Sequence, residues 1–488
     1  MDVLIVGAGP TGLTLAIELQ RRGVPHRIVE ASPRPYHGSR GKGLQPRTLE
    51  VLDDLGVLDR FQAAGADYPP LRIHRPDGQE MEMRLDELHK PTPAVPYPNV
   101  WMVPQWRTGE LLAARLAELG GRVELGVAVT ALREDDGGVR VGLSTGETVT
   151  ARYVVGADGG RSMVREALGV GFEGETYETH RALIADVRLT GLDRDAWHMW
   201  PGTDGHVPRL GLCPLPGTDD WQLTAPHAES VEEIMAEVVP GVALTHIGWT
   251  SQFRANIRMV DRYRVGNVFL AGDAAHVHSP AGGQGLNTGV QDAYNLGWKL
   301  ATGDDALLDT YEAERLPVAA EVLGISSRLH HMQPAGVEQA MRRDDPVLRQ
   351  LSLSYRGGPL ADERRTRPGL LQAGDRAPDA PCQDAAGAPI RIFDVLRGAR
   401  PTLLAFDTPA PAVNGLRVVR VVRPGTPTDP NTIVDLHGHA HRAYDVQEPT
   451  LFLVRPDNYI GCAADGTDGT AISAYAHRIA QSTIPIPQ

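Results

Sequence analysis

The chain opens with Val3-Leu4-Ile5-Val6, an unbroken apolar run that goes directly into Gly7-Ala8-Gly9-Pro10-Thr11-Gly12. An apolar run without alternation reads as a strand buried on both faces, which requires a parallel sheet with layers packed above and below it. Leu13, Leu15, Ala16 and Leu19 then mark a short amphipathic helix that stops at Arg21-Arg22-Gly23, and a second strand, His26-Arg27-Ile28-Val29, closes on Glu30. A glycine next to the last helical residues is a common C-terminal stop. Strand, G-x-G-x-x-G turn, helix, strand and terminal acid together make a βαβ unit that binds a dinucleotide. The glycines allow a tight turn, close approach of backbone to pyrophosphate and tight helix packing, and the acid accepts hydrogen bonds from an adenosine ribose. Gly7, Gly9, Pro10, Thr11, Gly12 and Glu30 are the candidate contacts. The fingerprint alone leaves FAD and NAD open; Glu30 disfavours a 2'-phosphate in this site.

The 488 residues allow about three domain-sized units, and 42% hydrophobic residues suffice to fill their cores. No apolar run reaches the roughly 18 residues that span a bilayer, and the first strand begins at residue 2, so a cytoplasmic chain is expected. Cys213, Cys382 and Cys462 are far apart and form no C-x-x-C pair, so buried inert thiols are expected, with neither disulfide nor metal site. A formal charge of −13 argues against a nucleic-acid surface.

Two remote segments repeat the strand-turn-helix layout. Tyr153-Val154-Val155-Gly156 leads into Ala157-Asp158-Gly159-Gly160-Arg161-Ser162, and Val268-Phe269-Leu270-Ala271 leads into Gly272-Asp273-Ala274-Ala275-His276, followed by Pro280-Ala281-Gly282-Gly283-Gln284-Gly285-Leu286-Asn287. On these three ordered motifs the chain resembles the flavoprotein monooxygenases of the para-hydroxybenzoate and phenol hydroxylase type, especially the hydroxylases of aromatic polyketides and antibiotics. The resemblance implies that FAD occupies the first motif and that Asp273 binds its ribityl chain. It associates Asp158, with Arg161, Ser162 and Arg165, with FAD and the nicotinamide donor. The turn Gly283, Gly285, Leu286 and Asn287 would face the flavin pyrimidine edge, with Pro280 and Gly285 near the ring. Gln105 and Val129 are implied as further cofactor contacts. Arg40, Lys42 and Arg47 fall where the family places cations near the pyrophosphate; lysine offers a point charge rather than a fork, so Arg40 or Lys42 stays open as the contact.

The implied architecture is α/β: a discontinuous Rossmann-like FAD-binding domain over 1–175 and 265–360, a β-sheet substrate domain over 176–264 with parts of 76–99, a linker over 361–374, and a thioredoxin-like C-terminal domain over 375–488. Alternation in Ala182–Leu189 and Trp221–Ala225 supports strands with one solvated or pocket-facing side. The C-terminal segment lacks C-x-x-C, so packing rather than thiol exchange is expected of it. Asn458, in an Arg-Pro-Asp-Asn turn, is a residue that tolerates left-handed geometry.

One dinucleotide fingerprint for two dinucleotides makes NAD(P)H a transient visitor, NADPH being favoured. The resemblance implies hydride transfer to FAD, a flavin C4a-hydroperoxide, and hydroxylation of an electron-rich ring by O2-derived oxygen, in a monomer or homodimer without membrane or nucleic-acid partner. Baeyer-Villiger insertion, a double-bond reductase and a non-catalytic FAD-binding sensor or scaffold are the alternatives. No side-chain acid or base stands out. His198, Trp200, Trp221, His227 and Arg254 are candidate pocket residues in the middle domain, where packing is the commoner role for such residues. His276 is expected to orient its turn.

Overall fold

Val3–Val6 is buried along its whole length: a parallel strand lies on each side of it, and its side chains enter the hydrophobic core packed on the sheet's two faces. Tyr153–Gly156 pairs in the register Val3 to Tyr153, and His26–Glu30 in the register Val3 to His26. The computed structural model describes residues 1–202, 208–278, 283–332, 342–343, 345–411 and 413–480. Across this sheet the order is Arg264–Val265, Val268–Leu270, Tyr153–Gly156, Val3–Val6, His26–Glu30 and Val123–Leu125, parallel except at the Arg264–Val265 edge. The strands of all three motifs are therefore immediate neighbours. Their glycine-rich turns emerge side by side at the carboxyl ends, where open parallel sheets bind ligands.

Helix Pro10–Gln20 follows the first turn and packs on helix Gly285–Thr302. The contact is close because Gly297 faces Glu18: a β-carbon at Gly297 would lie 2.5 Å from the Glu18 β-carbon. Val129–Asp135, Gly138–Leu143 and Thr148–Ala151 form a three-stranded antiparallel sheet, with Val129 buried in the core of this domain.

Eight strands build a second sheet in the order His276–Val277, Ala243–Val260, Phe172–Thr190, Trp221–Pro226, Pro208–Pro214, Trp197–Pro201, Leu71–His74 and Glu80–Met83. The alternating runs read from sequence fall inside Phe172–Thr190 and Trp221–Pro226. Leu71–His74 joins this sheet from before residue 76. One face packs Leu183, Ala185, Val187, Trp221 and Leu223 against helix Val231–Val238. The other faces the segment around residues 36–42.

The C-terminal sheet, again of eight strands, is centred on Thr402–Phe406, parallel to Arg417–Val422 and antiparallel to Thr450–Val454. Asp362–Glu363, in the segment expected as a linker, pairs with Ile460–Asp465 at its edge. One face adds Trp298 and helix Gly469–Ala480 to its core. Asn458 has φ of 60°, the left-handed geometry its turn needs. The three cysteines are free and buried. Among the described residues no helix is long and apolar enough to cross a membrane.

Candidate functional site

The fingerprint glycines divide the work. Gly7 has φ of +102°, and a β-carbon there would come within 2.4 Å of the Ala157 carbonyl oxygen, so the first turn rests directly on the second. At Gly12 a β-carbon would lie 2.0 Å from the Gly7 carbonyl oxygen, which fixes the helix against the turn. At Gly9 a β-carbon meets nothing within 4 Å. That open space, at the first turn of a helix beginning with Pro10, fits a phosphate group approaching the backbone. Thr11 ties in the third motif, its Oγ1 lying 2.5 Å from where a Gly272 β-carbon would be and 2.4 Å from that of Gly289.

Glu30 holds the turn from the neighbouring strand. Its carboxylate accepts from the Ala8 N–H at 2.9 Å and the Ser32 N–H at 2.9 Å, and lone pairs remain for ribose hydroxyls. Asp158 is turned toward its own helix: it accepts from Ser162 Oγ at 2.5 Å and from the Val164 N–H at 3.1 Å, while Ser162 caps Met163–Leu168. Burial raises its pKa, and these donors counter part of the rise. Arg165 joins two motifs, donating to the carbonyl oxygens of Gly160 (2.8 Å) and Ala274 (2.9 Å).

Asp273 is exposed, yet the protein surrounding it raises its pKa, with His276 and Arg40 pulling it partly back. This is the environment of a carboxylate on the wall of a cleft. Its turn is held from behind. Asp292, in helix Gly285–Thr302, accepts from the Gly272 N–H (3.0 Å), His276 Nε2 (2.7 Å) and Arg315 Nε (2.7 Å), all in fully buried surroundings. Burial alone would push the Asp292 carboxyl up; Arg315 and His276 outweigh it and hold it below the ordinary range. His276 Nδ1 lies 2.9 Å from His278 Nε2, and burial together with His276 lowers His278 to about 3. Asp292 and Arg315 are site-supporting residues that the motifs do not name. Their one sequence signal is polar residues on the buried face of a helix.

Asn287 fastens the glycine-rich turn to the segment beyond Lys42. Its Oδ1 accepts from the Gln45 N–H (2.8 Å), and its Nδ2 donates to the Gly43 (2.9 Å) and Gly283 (2.8 Å) carbonyl oxygens. Gln105 Oε1 accepts from the Gly41 N–H at 3.0 Å, and Leu286 packs against Gly41. A β-carbon at Gly283 meets nothing within 4 Å, and the first-turn N–H groups at Gly285–Asn287 lack intrahelical acceptors, as at any helix start. The openings at Gly9 and Gly283 and the exposed Asp273 fit one extended molecule carrying phosphates and a flavin. Pro280 lies outside the described residues.

The cations diverge. Arg40 is exposed and donates to Ser251 Oγ at 2.8 Å, on the side that Asp273 senses. Lys42 turns into the second sheet, where its buried ammonium bonds Gln222 Oε1 and lies 3.9 Å over the Trp197 ring. Arg47 is buried against the C-terminal domain, donating to Glu50 and to the Asp457 carbonyl oxygen, so it is a docking residue and not a pyrophosphate contact.

His198, Trp200 and Trp221 lie on the helix-covered face of the second sheet, away from residues 36–42. His198 stacks on His74 at 5.2 Å, bonds its Nε2 at 2.9 Å and meets the Asp193 carbonyl oxygen at 3.0 Å; Trp221 is in the core. Packing is their role. His227 is exposed at a strand end, and the side chain of Arg254 lies outside the described residues.

A chain with these turns belongs to the FAD-dependent flavoprotein monooxygenases of the aromatic-ring hydroxylase kind. The family "FAD binding domain" matches residues 1–326, and "Aromatic-ring hydroxylase, C-terminal" matches residues 371–482. The chain is 45% identical to a flavin-dependent monooxygenase of Mycobacteroides abscessus over 98% of this chain and 100% of that one. It is 35% identical to the 12-dehydrotetracycline 5-monooxygenase/anhydrotetracycline 6-monooxygenase of Streptomyces rimosus, covering 96% and 97%. The crystal structure of aklavinone-11 hydroxylase in a ternary complex with FAD and aklavinone superposes with a TM-score of 0.76 at 27% identity, covering 98% of each chain.

Proposed function

We propose that this enzyme hydroxylates a polycyclic phenolic substrate of the polyketide or antibiotic type, using NAD(P)H as electron donor and O2 as oxygen source. The observation that carries the reading is the convergence of three motif turns on one sheet edge, opposite a second sheet with an apolar face. Glu30 would hold the adenosine ribose, and the turn from Gly9 to Gly12 the pyrophosphate, with Arg40 rather than Lys42 as its cation. Asp273 and Gln105 would take the ribityl chain. The N–H groups at Gly285–Asn287 would stabilise negative charge on the pyrimidine edge of the reduced ring. When bound and reduced, flavin supplies oxygen activation; the protein orients the substrate, excludes water and fixes local charge.

On the substrate side, the partly exposed Met81, Met83 and Trp197, backed by the buried Leu71, Ile73 and Met199, form an apolar cluster that would suit a planar ring system. The tetracycline and aklavinone relatives support a substrate of that size.

The test is to purify the protein, read its flavin absorbance, and follow NADH and NADPH oxidation with polycyclic phenols and with ketone analogues under labelled O2. Bound FAD, phenol-stimulated oxidation and label appearing as a ring hydroxyl are expected. A protein without flavin overturns the reading, and label appearing in a lactone replaces hydroxylation with Baeyer-Villiger insertion. Asp273→Ala is expected to weaken FAD binding roughly 10- to 100-fold by fluorescence titration, as loss of a charged hydrogen-bond partner does.

A further inference from the structure

Lys42 is set between Gly41, bonded to Gln105, and Gly43, bonded to Asn287, so its backbone belongs to the flavin-side wall. Its side chain crosses to Gln222 on the substrate sheet. Gln222 Nε2 in turn donates to the Ser39 carbonyl oxygen. Gln222 and Asp186 are directly opposite on neighbouring antiparallel strands, and cross-strand partners share a face. Asp186 is therefore on the face that meets residues 36–42.

Asp186 is 5% exposed, and its Oδ1 has no charged partner, the neutral Ser39 hydroxyl being the hydrogen-bond donor that acts on the carboxylate. Among the described residues it takes part in no salt bridge closer than 4 Å. The titratable groups facing it are Tyr36, His37 and Lys42 from the flavin-side segment and Asp220 from the sheet, with the Ser39 hydroxyl beside it. Natural interiors seldom keep a buried carboxylate oxygen unpaired unless a ligand completes it.

We infer that Asp186 is a catalytic residue that accepts the proton of a substrate phenol hydroxyl, so that the substrate must carry a free phenol beside the ring position attacked. This rests on the hydroxylase reading above. The phenol O–H bond breaks, the proton passes to Asp186 Oδ1, and the electron pair stays on the phenol oxygen and enriches the ring. After oxygen transfer the attacked carbon loses its C–H proton as the ring regains aromaticity and the phenol oxygen regains one, while the proton held by Asp186 ends in the water formed from the second atom of O2, so the carboxylate is restored and the overall reaction is unchanged. Lys42, with its ammonium over Trp197, offsets the negative charge moving between carboxylate and phenol oxygen. Burial, reinforced by Asp220 and tempered by Ser39, His37 and Lys42, raises the Asp186 carboxyl to about 6, which leaves it ionised at neutral pH and basic enough for the task.

The experiment uses the FAD-loaded wild type, Asp186→Asn and Asp186→Glu with a hydroxyanthraquinone and its O-methyl ether as probes. Binding is read from the probe's visible spectrum, without turnover. The wild type should prefer the phenol over the ether by about tenfold or more, and the Asn variant should lose most of that preference. In turnover the Asn variant should oxidise NADPH but release hydrogen peroxide, with oxygen transfer reduced roughly 100-fold or more. Wild-type coupling of NADPH oxidation to hydroxylation should fall below about pH 6; the Glu variant should retain such a break and the Asn variant should show none. An Asn variant with wild-type preference, coupling and pH profile overturns the inference, as does a Glu variant without the pH break if the Asn variant fails to fold. A wild type that binds no flavin overturns the hydroxylase reading beneath it, a distinguishable result.

Discussion

At the C-terminal interface Arg455 meets Glu314 at 2.5 Å and Asp457 at 2.5 Å, Lys299 meets Glu314 at 2.7 Å, and Asn295 donates to both acids; every side chain in the ion pairs is 0–1% exposed. At the second sheet Lys42 and Asp186 are nearly as deeply buried, but Lys42 bonds an amide and Asp186 has the neutral Ser39 hydroxyl beside it and no cation within 4 Å among the described residues. The first cluster is chemically complete and has no room for a ligand, so its task is to dock the C-terminal domain on the FAD-binding helices. The second is incomplete and lies where residues 36–42 pack over the second sheet. Saturation of hydrogen-bonding capacity, more than burial or charge, separates a structural polar cluster from one that waits for a partner.

The largest effect expected from this contrast is at Arg455. Arg455→Ala leaves Asp457 and half of Glu314 buried without their cation, which should cost about 3–5 kcal/mol in denaturant unfolding; a loss below about 1 kcal/mol would break the comparison. Next comes a pH effect at Lys299, which burial lowers to about 8 from the ordinary 10.5. Between these values the unfolded chain binds the extra proton, so this group's contribution to stability rises with pH, by up to about 1.4 kcal/mol per unit. The stability difference between wild type and Lys299→Met, measured from about pH 7 to 10, should show that slope. Smallest is Lys42→Met. Exchanging an ammonium with no carboxylate bond for an apolar side chain beside Trp197 should shift the unfolding midpoint by less than about 1 kcal/mol in either direction. A loss approaching that of Arg455→Ala would mean that the two clusters are alike.

The βαβ fingerprint and the Asp-Gly and Gly-Asp turns were legible because each is a local event: a buried strand, a glycine-rich turn and a helix within about fifteen residues. The adjacency of their strands is a property of the assembled sheet, and no local pattern states it. Lys42 and Arg47 show the limit clearly. Proximity in sequence to Arg40 says nothing about which way a loop side chain turns: the exposed Arg40 reaches Ser251 and the buried Lys42 reaches Gln222, on different strands of the second sheet, while Arg47 turns to the C-terminal domain. Asp186 occupied an alternating strand whose polar face reads equally as solvated or pocket-facing; only the segment packed over it decides. Asp292 and Arg315 were hidden for a similar reason, since they act through a turn that neither of them flanks in sequence.

Thr11, wedged against Gly272 and Gly289, limits how this chain can drift. Adding a methyl group at position 289 first requires a smaller residue at position 11, and even then the Gly272 α-carbon, 3.1 Å from the new atom, has to retreat. Neither glycine accepts a side chain in place while Thr11 stands. Related sequences are therefore expected to keep the trio or to change it together, so the x beside the last glycine of the opening fingerprint is a constrained letter whose partners lie more than two hundred and fifty residues downstream.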